Sequence, residues 1–130
     1  MEGIVEYTVY FIFKKGCFDG TAGDLLNSTA WMFENCPNLI HADLRFFNTT
    51  NVKNMHEMFG YCSSLKELNL SPSNTTSVED MSYMFNGCSA LTELDLSPFD
   101  TQNVTNMRGM FYYCTALAKL DFSKLNTKKV

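Results

Sequence analysis

The chain has 130 residues, the size of one domain, and its composition, 45% hydrophobic and 18% charged, is that of a folded protein. Ten Lys and Arg against 14 Asp and Glu give a net charge of −4, so no basic stripe is available to neutralise phosphates. The composition therefore excludes a disordered chain and a nucleic-acid-binding protein.

The N-terminal segment, residues 1–26, alternates apolar and polar side chains from Val5 to Phe13 and then reaches Lys14-Lys15-Gly16. The alternation predicts a strand that pairs with the first repeat and caps its core. Its apolar run is far shorter than the roughly 18 residues of a membrane span. Acidic residues precede the run and lysines follow it, which reverses the charge order of a secretory signal. We therefore expect a soluble chain without a leader in this sequence.

A 26-residue repeat organises the rest of the chain. The dipeptide Met-Phe recurs at this step, at Met32-Phe33, Met58-Phe59, Met84-Phe85 and Met110-Phe111. A cysteine column keeps the same step, at Cys36, Cys62, Cys88 and Cys114. With no insertion or deletion in between, the pattern predicts four repeats, at residues 27–52, 53–78, 79–104 and 105–130.

Within one repeat the hydrophobic period changes from helical to extended. Met81, Met84, Phe85 and Cys88 stand at i, i+3, i+4 and i+7, which predicts a short helix with one buried face. Alternation around Leu94 then predicts a strand. Because one such unit cannot bury a core alone, stacked units are expected. The prediction is an α/β repeat solenoid, with short parallel strands on one face, short helices on the other, and an inward phenylalanine column at positions 33, 59, 85 and 111.

The pattern M-F-x-x-C-x-x-L-x-x-L-x-L-S followed by F-D-T-x-N-V-x-N-M, as at Met84 to Met107, resembles the BspA-like leucine-rich repeat of the DUF285 type. The resemblance implies a leucine-rich-repeat solenoid with a narrow parallel sheet. It also implies a role in adhesion and protein binding, because similar proteins are mostly surface proteins of bacteria and some protozoa. It carries over no catalytic residue.

The cysteines and histidines do not form a recognisable chemical site. Zinc ligands come in close pairs, which a uniform 26-residue step does not provide, so the repeat cysteines are predicted to be buried core thiols. Cys17, in the N-terminal segment, is expected to be buried as well. The only histidines are His41 and His56, and the sequence has none of the common catalytic or nucleotide-binding motifs. We expect neither catalysis nor a metal or cofactor.

Partner binding is predicted on the outward side of the strands, where the repeats differ from one another. The candidate residues are His41, Asp43, Arg45, Glu67, Asn69, Glu93, Asp95, Lys119 and Asp121. This face is acidic in its centre, with Glu67 expected beside Glu93, so a basic protein partner is the functional interpretation. A solvated surface without a partner is the alternative. Trp31, Phe46, Tyr61, Tyr83, Tyr112 and Tyr113 are further candidate aromatic anchors.

The last repeat has no capping element after it, and a solenoid needs its open face covered. Either the natural chain continues, or a second copy covers that face in an end-to-end homodimer. The candidate self-association residues are Phe111, Tyr112, Leu117, Phe122 and Leu125.

Three functional hypotheses follow from these observations. One is a repeat of a surface adhesin, as the resemblance implies, and this would place the chain at the cell surface. The second is a small intracellular binder or inhibitor, encoded by a phage or another mobile element, that acts on a host protein. The third is a structural spacer in a larger array, which needs no partner.

Overall fold

Three short parallel strands form one side of the fold. A computed structural model describes residues 7–8, 27–45, 49–70 and 75–130. The strands are β1 (Tyr7–Thr8), β2 (Leu39–Asp43) and β3 (Glu67–Asn69), which form one sheet in the order β1-β2-β3. A 3₁₀ helix occupies Phe122–Lys124. The predictions for Cys17, for Phe46 and for most of the N-terminal cap lie outside the described residues.

The register of the sheet follows the 26-residue step. His41 pairs with Glu67 and Asp43 with Asn69, both in parallel. Between them, Ala42 is buried against the core, so the outward and inward alternation predicted for the strand is present in this repeat. In repeats 3 and 4 the pairing is reduced to one parallel bridge, between Glu93 and Lys119. Among the described residues of the four repeats, the predicted strands therefore pair over several consecutive residues only in repeats 1 and 2.

A second parallel ladder runs along the opposite side of the repeats. Isolated bridges join Ser28 to Asn54, Asn54 to Asp80, and Asp80 to Asn106, each across one 26-residue step. The bridges connect equivalent positions of consecutive repeats, so stacking in register continues where the regular sheet does not. Buried threonines add to it. Thr101 Oγ1 accepts a hydrogen bond from the Asn126 backbone N–H at 2.8 Å and donates one to its carbonyl at 3.1 Å.

The short helices predicted after each bridge are not formed in the described residues. Instead, the segments at 30–35, 56–61, 82–87 and 108–113 are consecutive turns. In repeat 3, Asn86 N–H donates to the Tyr83 carbonyl of its own turn, whereas Phe85 N–H donates to Met110 of the next repeat at 2.9 Å. An α-helix uses its N–H groups within one segment. Here every second N–H group donates to a carbonyl of the next repeat. These N–H groups are not available for hydrogen bonds within the segment, so the segment does not form an α-helix.

Two columns of left-handed residues make these crossings possible. Positive φ angles recur in the columns Trp31, Glu57, Tyr83 and Gly109, and Asn35, Tyr61, Gly87 and Tyr113. In the first three repeats, each of these residues donates its own N–H to a carbonyl of the following repeat. Glycine adopts this conformation without strain, but an L side chain there costs about 1 to 2 kcal/mol. Six of the eight positions nevertheless carry a side chain larger than glycine.

The apolar stripe packs inward as predicted, although it lies on turns rather than on helices. Phe33, Phe59, Phe85 and Phe111 form one stacked column, with successive ring centroids 5.3, 5.8 and 5.6 Å apart and interplanar angles of 14° or less. Methionine and leucine columns of the same repeats complete the buried core. The predicted phenylalanine column is confirmed.

Candidate functional site

The predicted strand-side residues of repeats 1 and 2 lie together, and several of their polar side chains pair with one another. His41 Nδ1 is 3.1 Å from Glu67 Oε2. Arg45 donates to both Asp43 carboxylate oxygens, with an Nη2–Oδ2 distance of 2.6 Å and an Nε–Oδ1 distance of 3.0 Å. This side-chain hydrogen bond lowers the pKa of Asp43. Asn69, on β3, is exposed and lies next to Asp43 of β2. The Arg45 guanidinium therefore balances the charge of Asp43 on this part of the surface.

Repeats 3 and 4 form an open groove of about 780 Å³ on the same side. Glu93, Asp95 and Asp121 line it together with Lys119 and Lys124, and the buried Leu94 and Leu96 also contribute. Hydrogen bonds donated by Ser97 and Ser123 lower the pKa of Asp95 and of Asp121, so both carboxyl groups are charged at neutral pH. The groove brings together four of the predicted partner-binding residues.

The predicted contact between Glu67 and Glu93 is not made by strand pairing. Within the described residues, no bridge joins β3 to residues 93–95, whereas Glu93 pairs with Lys119, its equivalent in the next repeat. Opposite charges are therefore neighbours at this step of the ladder.

The candidate self-association residues surround the end of the phenylalanine column. Phe111 is half-buried, stacked on Phe85 and 6.1 Å from the edge-oriented ring of Phe122. Leu117 and Leu125 pack partly against the core, whereas Tyr112 and Phe122 are more than half exposed. Self-association through this end stays a prediction.

Aromatic rings line the turn segments of the four repeats. We call this set the aromatic strip: Trp31, His56, Tyr61, Tyr83, Tyr112 and Tyr113. Trp31 and Tyr83 approach His56 edge to face, with centroid distances of 5.3 and 5.9 Å. The rings of Tyr112 and Tyr113 are 4.2 Å apart. Four of these residues are about half exposed: Trp31 54%, Tyr61 48%, Tyr112 54% and Tyr113 61%.

Glycines in the next repeat make room for two of the tyrosine rings. A Cβ atom at Gly109 would lie 2.4 Å from the Tyr83 ring, and one at Gly87 would lie 2.8 Å from the Tyr61 ring. A hydrogen bond with Tyr113, together with the nearby Tyr113, Tyr83 and Tyr61 hydroxyls, raises the pKa of Tyr112. The four tyrosines therefore form one cluster across repeats 2 to 4.

A hydrogen-bonded network lies beneath the strip. Ser82 Oγ donates to Asp80 Oδ1 at 2.6 Å and is 2.7 Å from His56 Nδ1. Since the serine proton is directed to the aspartate, His56 Nδ1 is the donor in its contact with Ser82. This order differs from a catalytic triad, in which histidine accepts the proton of the serine. Ser82 is also only 3% exposed, so the network orients His56 and offers no accessible nucleophile.

Glu57 and Asn86 continue this network across repeats 2 and 3. Asn86 Nδ2 donates to Glu57 Oε1 at 3.2 Å, and Glu57 Oε2 is 3.7 Å from His56 Nε2. The other amide atom, Asn86 Oδ1, is buried and has no hydrogen-bond donor within the described part of the chain. Sequence analysis missed this group because its members are 29 residues apart and lie in neighbouring columns.

Two of the four repeat cysteines, Cys62 and Cys88, are buried core thiols, and Cys36 and Cys114 are partly buried. Cys62 Sγ donates to the Phe33 carbonyl at 3.1 Å, and Cys88 Sγ donates to that of Phe59 at 3.2 Å. Burial raises the pKa of Cys62 to about 12 and raises the pKa of Cys88 as well. Among the described residues, no group of three or more His, Cys, Asp or Glu is placed to hold a metal ion.

We expect iodoacetamide at pH 8 to modify Cys36 and Cys114 faster than Cys62 and Cys88. The first pair is half-buried, whereas the second pair is buried and remains protonated. Peptide mass spectrometry of a time course measures each rate, and denaturant should make the four rates similar. Equal rates in the native protein would contradict the burial of Cys62 and Cys88.

The free energy of unfolding should also fall as the pH rises above 9, because the buried thiols ionise there only in the unfolded chain.

The fold and the site together define a repeat protein that stacks 26-residue units in parallel register and exposes an aromatic surface. Residues 27–130 match the family described as "Mycoplasma protein of unknown function, DUF285", and the chain belongs to this family. The DUF285 resemblance found in the sequence is thereby confirmed.

A crystal structure of a T. pallidum leucine-rich-repeat protein is similar to this chain, with a TM-score of 0.43 and 15% sequence identity. The similarity covers 68% of this chain and 48% of that one, so the chain spans about half the length of that structure. No curated protein matches the sequence. In the described part of the chain, no helix has the length and apolar character to cross a membrane.

Proposed function

We propose that this chain is a non-catalytic protein-binding module and that the aromatic strip is its contact surface. The supporting observation is the backbone conformation under the rings. Trp31, Tyr61, Tyr83 and Tyr113 all have φ between 55° and 59°, where glycine is the residue with least strain. Strained side chains of this kind cluster at functional sites. A structural role alone would be served by glycine, as at Gly87 and Gly109.

The exposure and chemistry of the rings support the same function. Tyrosine and tryptophan are enriched at the energetic centres of protein interfaces, because each combines a large apolar ring with a hydrogen-bonding group. Four half-exposed rings present roughly 400 Å² of surface, which is as large as patches that mark binding sites. A standard interface of about 800 Å² per partner would include the polar residues around the strip.

The strand-side groove is a second candidate surface. It contains Glu93, Asp95 and Asp121, and its two lysines leave one net negative charge among the five charged side chains. A basic segment of a partner would fit this groove, as the sequence predicted. An adhesin repeat or an inhibitor of a host protein could use either surface. The two surfaces are formed by different segments of each repeat, so separate variants test them.

Selection from a displayed random-peptide library tests the proposed function. Peptides enriched on the native chain should bind the variant Trp31→Ser/Tyr61→Ser/Tyr112→Ser about tenfold or more weakly, because several anchor rings are lost. They should bind the groove variant Glu93→Gln/Asp95→Asn normally. Thermal unfolding by circular dichroism checks that both variants fold. If no enriched peptide depends on the strip, the aromatic strip is not the contact surface and the proposal is wrong.

A further inference from the structure

We infer that the segment bound by the aromatic strip presents arginine or lysine side chains to Glu57. This inference rests on the proposed function and names the partner chemistry of the same surface. Glu57 occupies the same column as Trp31 and Tyr83, between them in the order of repeats, with φ of 50°. The strip therefore contains a carboxylate at one of the positions where a non-glycine residue is strained.

The Glu57 carboxylate has no lysine or arginine partner in the described part of the chain. Its side chain is only 18% exposed, and its contacts are the Asn86 amide at 3.2 Å and His56 Nε2 at 3.7 Å. A carboxylate with little access to water favours a charged hydrogen-bond donor over a neutral one. An incoming ammonium or guanidinium group would supply that donor.

The neighbouring amide carries an acceptor without a hydrogen-bond donor among the described residues. Asn86 is 5% exposed, and its Oδ1 atom lacks a donor in the described part of the chain. Leaving a buried acceptor unpaired costs about 1 to 3 kcal/mol. Arginine carries five N–H donors and lysine three, so a basic side chain that pairs with Glu57 keeps further donors for neighbouring acceptors.

The surrounding rings favour a cation for an independent reason. The faces of Trp31, Tyr61 and Tyr83 attract ammonium and guanidinium groups through their negative quadrupole, by about 0.5 to 2 kcal/mol for each contact. Exposed Glu34 adds negative charge in the same turn as Trp31. Asp80 is occupied by Ser82 and by Asn106 Nδ2 at 3.4 Å. A proline-rich segment could also contact the rings, but it would bring no charged donor to Glu57.

Three ten-residue peptides test the inference directly. One alternates arginine with glycine, the second replaces arginine with glutamine, and the third is polyproline. Trp31 is the only tryptophan of the chain and lies in the strip, so its fluorescence reports binding without a label. The arginine peptide should bind at least about threefold more tightly than either other peptide, as one cation–π contact alone predicts.

Matched variants distinguish the strip from the groove. Glu57→Gln should weaken binding of the arginine peptide about threefold or more. Glu57→Gly, which suits the left-handed backbone, should weaken it as well if the glutamine variant fails to fold. Glu79→Gln removes the same charge at an exposed position outside both candidate surfaces and should leave affinity unchanged, whereas Glu93→Gln tests whether the peptide binds in the groove. Equal binding of the three peptides would overturn the inference, and so would a larger effect of Glu93→Gln.

The failure of the inference and the failure of the proposed function give different results. If the library yields peptides that depend on the strip but carry no basic residues, the strip binds a partner and the inference about its chemistry is wrong. If no selected peptide depends on the strip, both are wrong.

Discussion

Replacing Phe85 with alanine should lower the free energy of unfolding by about 3 to 5 kcal/mol. The ring is fully buried, lies between the parallel rings of Phe59 and Phe111 at 5.8 and 5.6 Å, and meets Phe99 edge to face at 6.3 Å. Its removal leaves a cavity in the middle of a column whose neighbours are held in register by inter-repeat hydrogen bonds. Urea denaturation followed by circular dichroism measures the change.

Phe122→Ala is the matched control for this experiment. Phe122 is 57% exposed and contacts the same column only at its end, through the edge of Phe111. Its removal should change stability by less than about 1 kcal/mol. Similar losses for Phe85→Ala and Phe122→Ala would mean that the stacked column does not dominate the stability of the repeats.

The sequence was sufficient to predict which residues stack. A phenylalanine that recurs every 26 residues can contact its own copies only if the repeats lie side by side in register, and the observed ring distances agree with this. It was insufficient to predict the local backbone. A stripe at i, i+3, i+4 and i+7 is produced by a helix and equally by two consecutive turns. Gly87 and Gly109 inside the predicted helices were the available sign of turns.

Helix propensity fails here because hydrogen bonds between repeats compete with those inside one segment. Each left-handed residue of the first three repeats directs its N–H to the next repeat, a contact that depends on the lateral distance between turns. The same limit applies to the site. The outward position of Glu93 and Lys119 followed from alternation along a strand. The contact of Glu57 with Asn86 did not, because it joins different columns of adjacent repeats.

Replacing Trp31 and Tyr113 together with glycine should raise the free energy of unfolding by about 1 to 2 kcal/mol, because relief of left-handed strain exceeds the added freedom of the unfolded chain. Both residues have positive φ, of 59° and 55°, and both are more than half exposed, so their removal loses less buried area than removal of a core ring. They lie in repeats 1 and 4, where the two effects should add. Urea denaturation measures the gain.

Tyr112→Gly separates backbone strain from loss of the ring. Tyr112 is exposed to a similar extent as its neighbour Tyr113, but it is absent from the residues with positive φ, so glycine there should lower stability by about 0.5 to 1 kcal/mol. The opposite signs of adjacent, chemically identical substitutions would identify the backbone as the cause. If Tyr113→Gly also lowers stability, the rings contribute to folding, and strain no longer supports a binding role. If the Trp31→Gly/Tyr113→Gly protein is more stable yet loses its selected peptides, the aromatic rings are retained for binding at the expense of stability.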